Sequence, residues 1–406
     1  MTVTTGLSGN EIFCLAQKGY TPGNIVVGNS VYSLGLISSV GTGFKSILGG
    51  ELEQVTKLIE EGREAAYKRM VHEANTARAT GITGVTSELI FQAGNIEFLS
   101  IGSLVYSESN QSQFTTSANG QDLFAQLDAG YKPIHFAFGN VAYSMGLGRG
   151  VLGAVKTLAR GEIKEYSDMF NHTRHLALER IIAHAKTFNA NAVLGIQTTI
   201  LPFSGVSEML MIGTASQNTK LPAQGTQQII TSDLTNIEMW NLASMGYAPL
   251  RLLLGTSVYS LGLVGGVTSF LKSFKRGEIT ELTRLIYDAR ENALGIINEE
   301  AKAIGADDVV GVKTYVYQLG GGLIEFLAIG TAVKKISGTK TESSQLPPQA
   351  IIVDQDTFFD TSQRGAFGVN VNQESKPVRV SGMAALFSNL IFVIIIIYIF
   401  SRYLRH

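Results

Sequence analysis

One motif, spelled three times, limits what this chain can fold into. Gly19-Tyr-Thr-Pro22 returns as Gly130-Tyr-Lys-Pro133 and as Gly246-Tyr-Ala-Pro249, at intervals of 111 and then 116 residues. The same intervals carry Tyr32-Ser-Leu-Gly35 onto Tyr143-Ser-Met-Gly146 and Tyr259-Ser-Leu-Gly262, and Gly50-Glu51 onto Gly161-Glu162 and Gly277-Glu278. They also align Arg63, Arg174 and Arg290, and then Gly84, Gly195 and Gly311. Glu97, Glu208 and Glu325 close the ladder, the third copy having gained one residue after Gly311. A ladder of this length is an internal repeat, and each copy is one structural unit. The units span 10–106, 120–217 and 233–336, joined by polar connectors. A stretch bearing Ser, Gln, Pro and Asn follows from 337 to 382 and reads as a flexible tether.

Composition narrows the partners. Charged residues are 16% of the 406, below the roughly 25% of an ordinary globular protein, so much of the surface must be hidden. Lys plus Arg (32) balances Asp plus Glu (33), which leaves no long-range field to attract nucleic acid. Cys14 is the single cysteine, which excludes an intrachain disulfide and a cysteine-based zinc site.

Each unit reads as α+β. Ile25-Val-Val-Gly28, matched by Phe136-Ala-Phe138 and Leu252-Leu-Leu254, is a short apolar strand after a turn. A Gly-rich apolar segment, Leu34 to Leu48 in the first unit, is expected to be helical once packed. A long helix is expected from about Glu51 to Thr80, with Leu52, Val55, Ile59, Ala66 and Met70 at helical spacing and Gly81 as its stop. A strand pair then ends in Ile96-Glu-Phe-Leu-Ser-Ile-Gly102, where Leu99 and Ile101 oppose Ile96 and Phe98. Met209 and Met211 oppose Leu210 and Ile212 in the second unit; Phe326 and Ala328 oppose Leu327 and Ile329 in the third. Both strand faces are therefore apolar, while one unit's helix covers only one of them. The other face needs a neighbour, and Phe98, Leu99, Ile101, Met209, Met211, Phe326, Leu327 and Ile329 mark the expected surface for self-association.

The two ends of the chain differ. The start, Met-Thr-Val-Thr-Thr-Gly, has neither a basic cluster nor an apolar run, so a secretory signal is not expected and the repeats are placed in the cytoplasm. From Ala384 to Phe400 only Ser388 and Asn389 are polar. Leu386 and Phe387, then Leu390, Ile391, Phe392, Val393, Ile394, Ile395, Ile396, Ile397, Ile399 and Phe400, form a run that spans roughly 26 Å as a helix. Arg402 and Arg405 can reach the interface, with Tyr398 and Tyr403 as belt residues. Residues 383–403 are thus expected to form a single-pass transmembrane tail anchor, the competing reading being a terminal helix buried in an assembly.

The stretches Gly43-Phe-Lys-Ser-Ile-Leu-Gly-Gly-Glu-Leu52, Thr56-Lys-Leu-Ile-Glu-Glu-Gly-Arg-Glu-Ala-Ala66 and Gly305-Ala-Asp-Asp-Val-Val-Gly-Val312 resemble the YbjQ family, small proteins labelled as heavy-metal-binding domains. The resemblance covers all three units. It implies a β-α-β-β unit related to dodecin subunits, a small antiparallel sheet with helices on one face, assembled as a five-fold ring. Three units per chain would then stack as tiers or form one larger ring.

The metal label meets few ligands. His172-Thr-Arg-His175 puts two imidazoles one turn apart, and His184 lies further along the same helix. Glu61, Glu64 and Glu73 occupy these columns in the first unit, and Asp288, Glu291 and Glu300 in the third. The histidines are candidate metal ligands; the competing readings are a solvated helix face and ion pairs between subunits. Arg63, Arg174 and Arg290 are expected to pair with these neighbouring acids, and Glu97, Glu208 and Glu325 to form ion pairs at strand ends. Ser33, Ser144 and Ser260 read as turn or cap residues, and Tyr20, Tyr131 and Tyr247 as packing anchors. No histidine recurs with the serines to serve as a base, and no phosphate loop is present, so no catalytic residue and no cofactor other than a metal is assigned. The sequence points to a non-enzymatic, membrane-anchored homo-oligomeric scaffold, a ring, barrel or cage on the cytoplasmic face whose partners are itself and the bilayer. Metal sequestration is the alternative.

Overall fold

The structure is a computed structural model that describes residues 2–33, 50–92, 95–108, 112–144, 161–203, 206–218, 229–260, 280–320 and 323–348. The Gly-rich segment 34–48, the later part of the tether and the apolar run 384–400 lie outside the described residues. In chain order the first repeat contains α1 (Gly9–Ala16), β1 (Thr21–Ser33), β2 (Gly50–Glu51), α2 (Glu53–Thr76), β3 (Gly81–Gln92) and β4 (Asn95–Tyr106). β5 (Phe114–Thr115) lies in the connector. The second repeat follows with α3 (Gly120–Asp128), β6 (Lys132–Ser144), β7 (Gly161–Glu162), α4 (Lys164–Thr187), β8 (Ala192–Phe203) and β9 (Val206–Gln217). After β10 (Ile230–Thr231) come α5 (Asn236–Ser244), β11 (Tyr247–Ser260), α6 (Thr280–Ala303), β12 (Asp308–Gly320) and β13 (Leu323–Lys335).

The expected strand, long helix and closing strand pair are present in every copy, and each copy also opens with a short helix that periodicity over so few residues does not reveal. The signal was local. Ser8 accepts from the Glu11 backbone N–H while the Glu11 side chain accepts from that of Ser8, and Thr235 and Glu238 repeat this capping box. The long helix ends earlier than expected. Gly81 is the first residue of β3, and the chain turns instead at Arg78, Asn189 and Gly305, which occupy one repeat position with φ of 53°, 58° and 67°. The Gly-Tyr-x-Pro proline lies inside the first strand, beside a register shift at Pro22/Ile25, Pro133/His135 and Pro249/Arg251. A bulge accommodates a residue that has no N–H to donate.

The sheets run β1-β4-β3-β5, β10-β8-β9-β6-β2 and β12-β13-β11-β7, so neighbouring repeats are interlaced. The Gly-Glu dipeptide of each of the first two repeats pairs with the next repeat's first strand: Gly50 opposite Ser144, and Gly161 opposite Ser260. Those serines are the last described residues of their strands, and the segments they were expected to turn into or cap lie outside the described residues. Each connector returns the exchange by adding a parallel two-residue strand to the preceding sheet.

The first two long helices sit between sheets, not on one face of a single sheet. α2 packs on β1 and β4 of its own repeat and also on β6; α4 packs on β6 and β9 and also on β11. Their buried residues therefore form two stripes, in α2 Ile59, Gly62, Ala66 and Met70 toward the own sheet and Thr56, Arg63 and Tyr67 toward the next. One core cluster accordingly joins Phe170, Ile181, Met209 and Met211 of repeat two to Leu252, Leu254, Leu327 and Ile329 of repeat three.

Helix and strand approach most closely at Gly28, Gly139 and Gly255, which hold one repeat position. A Cβ on Gly139 would collide with the Ala177 carbonyl oxygen and the Ile181 nitrogen, and one on Gly255 with the Ala293 carbonyl oxygen. Backbone cannot move aside as a side chain can. Gly139→Val is expected to lower stability by about 2–3 kcal/mol in chemical denaturation, and an unchanged midpoint would show that the contact is looser than described.

Candidate functional site: the interface between repeats

At each internal interface an arginine from one repeat meets a glutamate from the next. Arg63 donates from Nε to Glu208 Oε1 at 3.0 Å and from Nη2 to Oε2 at 2.7 Å, while Nη1 donates to Ser87 O and Oγ at 3.0 Å. Arg174 donates to Glu325 from Nε at 3.1 Å and from Nη2 to both carboxylate oxygens at 2.8 Å. Both pairs are shut off from solvent. Burial opposes the charge on Arg174, but the Glu325 carboxylate and the Tyr143 hydroxyl outweigh it and raise its pKa further. The Tyr143 and Phe170 rings flank this guanidinium at 4.8 and 5.4 Å. These two arginines thus pair across the interface with strand glutamates, correcting the expectation that they bind acids on their own helix. Sequence spacing favoured those acids, yet they lie on the solvent side; Glu61 and Glu64 are not buried, whereas Arg63 is.

Apolar packing follows the same rule. Leu210 and Ile212 join Tyr67 and Met70 of the preceding repeat, and Tyr67 stacks on Phe136 with ring centres 5.7 Å apart. Leu327 and Ile329 likewise meet α4. Phe98, Met209, Met211 and Phe326 point the other way and fill their own repeat's core, because strand alternation sets them on the face opposite the glutamate. Leu99 and Ile101, the counterparts of Leu210 and Ile212, are only partly buried.

A second row of contacts joins the leading helices. Asn10 donates to Gln121 at 2.7 Å, the Gly120 N–H to Glu11 at 3.0 Å and the Asn236 N–H to Asp122 at 3.1 Å. Asp128 is the hub. It accepts from Lys18 Nζ, Trp240 Nε1 and Ser343 Oγ, each at 2.7 Å; these bonds overcome the cost of burial and hold its carboxyl below its ordinary pKa. The first residues of the expected tether, through Ser343, are therefore docked on this row.

The three candidate histidines do not converge. His172 is not buried; His175 lies against Glu300 (Nε2 to Oε1, 3.0 Å) and the Asn171 carbonyl (2.8 Å), partners that outweigh burial and raise its pKa. His184 Nδ1 faces the Phe138 backbone at 3.2 Å. Its ring lies 5.6 Å from His135, a residue sequence reasoning did not single out, because nothing recurs at that position. Burial, with a smaller contribution from His184, pushes His135 down to about 3, and its ring stacks on Phe188 at 3.6 Å. Cys14 is buried, and burial raises its thiol pKa. Among the described residues no three of His, Cys, Asp and Glu gather as a metal ion requires, so these donors do not fit a heavy-metal site. Of the recurring tyrosines, Tyr20 and Tyr131 are buried, as packing anchors would be, and Tyr247 is half-buried with Lys335 above its ring.

The profile of the YbjQ family, described as "Putative heavy-metal-binding", matches residues 17–102, 130–219 and 244–336. The chain belongs to this family. Among its relatives, a UPF0145 protein of Methanoregula boonei is 41% identical over 85 residues, covering 21% of this chain and 71% of the relative. A UPF0145 protein of Thermotoga petrophila is 44% identical over 86 residues, 20% of this chain and 79% of the relative. The match to an "Encapsulin nanocompartment protein" of Mycobacterium tuberculosis is longer, 28% identical over 231 residues, 53% of this chain and 86% of that protein. Each UPF0145 relative thus corresponds to about one repeat, whereas the 231 residues match the length of two.

Proposed function

We propose that this YbjQ-family chain is a non-enzymatic structural subunit that assembles with copies of itself into a ring or cage, and that its apolar C-terminal segment holds the assembly on the cytoplasmic face of a membrane. One observation carries the assembly: the sheets of the second and third repeats are each finished by the helix of the repeat before, and no described helix covers the same face of the first repeat's sheet. Ile25, Val27 and Val31 of β1 are 41%, 45% and 60% exposed, while their counterparts Phe136, Phe138, Ala142 and Leu252, Leu254, Val258 are buried. An apolar face of this kind on an otherwise interlocked array is a surface for association. The likeness to an encapsulin nanocompartment protein supports a shell-like product.

The anchor rests on the sequence. No helix among the described residues is long and apolar enough to cross a membrane, and the run 384–400 lies outside them. Many tails on one particle would act together, so a segment slightly short of a full span would still hold firmly. A chain ending at Ser381 is expected to leave the membrane fraction for the soluble one while keeping the particle mass of the full chain in light scattering. A truncated chain that runs as a monomer removes the scaffold; a full chain washed off membranes by alkaline carbonate removes the anchor.

A further inference from the structure

Among the described residues, the uncovered sheet face of the first repeat and the uncovered helix face of the third are complementary. At the leading end, Glu97 stands at the position of Glu208 and Glu325, but its only described partner is Asn29 Nδ2 at 3.1 Å. Around it lie the exposed Ile25, Val27 and Val31 and the partly buried Leu99 and Ile101. At the trailing end, Arg290 holds the position of Arg63 and Arg174. It is exposed and has no ion-pair partner among the described residues. The helix carrying it, α6, buries the single stripe Leu285, Ala289, Ala293, Ile297 and Ala301, against its own sheet. α2 and α4 each bury a second stripe, in which Tyr67 and Leu178 are covered; their counterpart Leu294 remains partly open.

We propose that the trailing face of one chain docks on the leading face of a second copy, with Arg290 pairing with Glu97 as Arg63 pairs with Glu208, so that the repeat array continues from chain to chain. This rests on the scaffold reading and specifies its contact. The occupant is a second copy because the same interface is built twice inside the chain, and the two uncovered faces carry one half of it each. Such a contact is head-to-tail, and it yields a ring if the rotation closes and a filament if it does not. It also sets the count. Every chain adds three units, so a ring closed this way holds a multiple of three, and the five-unit ring implied by single-domain relatives is not available to it.

Charge reversal at either end tests the contact in the detergent-solubilised full chain. Both side chains are outside the packed core of the isolated chain, so Arg290→Glu and Glu97→Arg are expected to keep its circular dichroism. Each variant alone is expected to weaken association at least roughly tenfold, read as a shift toward single chains in native mass spectrometry. Mixing the two restores opposite charges at every junction. The glutamate introduced at position 290 of one variant meets the arginine introduced at position 97 of the other, and the unchanged Arg290 of the second meets the unchanged Glu97 of the first. Assemblies in which the variants alternate are therefore expected to form again. An assembled wild type with Arg290→Glu equally assembled, or variants that disperse but do not recover on mixing, overturns the head-to-tail contact and leaves the scaffold standing. A wild type that remains a single chain at working concentration overturns both.

Discussion

Replacing Glu208 with alanine is expected to lower stability by about 3–5 kcal/mol, because it leaves Arg63 charged in a place water does not reach. The guanidinium would keep its bonds to Ser87 but lose both carboxylate contacts. The loss belongs to the orphaned charge and not to the net worth of the pair, since desolvating two ions offsets most of their attraction. A Glu208→Leu, Arg63→Met double variant should therefore recover most of the stability. Denaturant midpoints of the wild type, single and double variants separate the two cases. A single variant within about 1 kcal/mol of wild type would mean that water or a rearranged acid reaches Arg63, as at an ordinary surface pair.

The second large effect is a loss of stability in acid that one histidine controls. His135 is held neutral down to about pH 3 in the fold, by burial and then by His184, while the unfolded chain takes up its proton near 6.5. Between these values the unfolded state binds more protons, so stability rises with pH across the window and its full contribution is present above 6.5. Lowering the pH from 7 to 4.5 is expected to cost about 2–3 kcal/mol through this residue. His135→Asn, which installs the residue found at the equivalent Asn24, should flatten the profile by that amount. Carboxylates titrate in both proteins, so the difference between the two curves is the quantity to read. Parallel curves would place the acid response elsewhere.

Recurrence made some features legible and left others hidden. The Arg63, Arg174, Arg290 column and the Glu97, Glu208, Glu325 column were visible as columns, because equivalent positions in repeated units select the same residues. Their pairing was not. Arg63 and Glu208 lie 145 positions apart, and nothing in a linear reading prefers that partner over Glu61 or Glu64, which sit within a turn. The leading helices left a trace in Ser8-x-x-Glu11 and Thr235-x-x-Glu238, too short to stand out against the stronger repeat signal. His135 and Asp128 acquire their environments from Phe188, His184, Trp240 and Lys18, residues brought in by other elements.

By itself the sequence determined that there are three α+β units and that their final strands are apolar on both faces; these are local properties of alternation and recurrence. Only the tertiary structure decided what covers the second face. The helix of repeat n lies on the sheet of repeat n+1, and among the described residues that order leaves a sheet face of the first repeat and a helix face of the third uncovered. Burial depends on which surfaces meet, and repeats with the same pattern differ in it as soon as one of them lacks a neighbour.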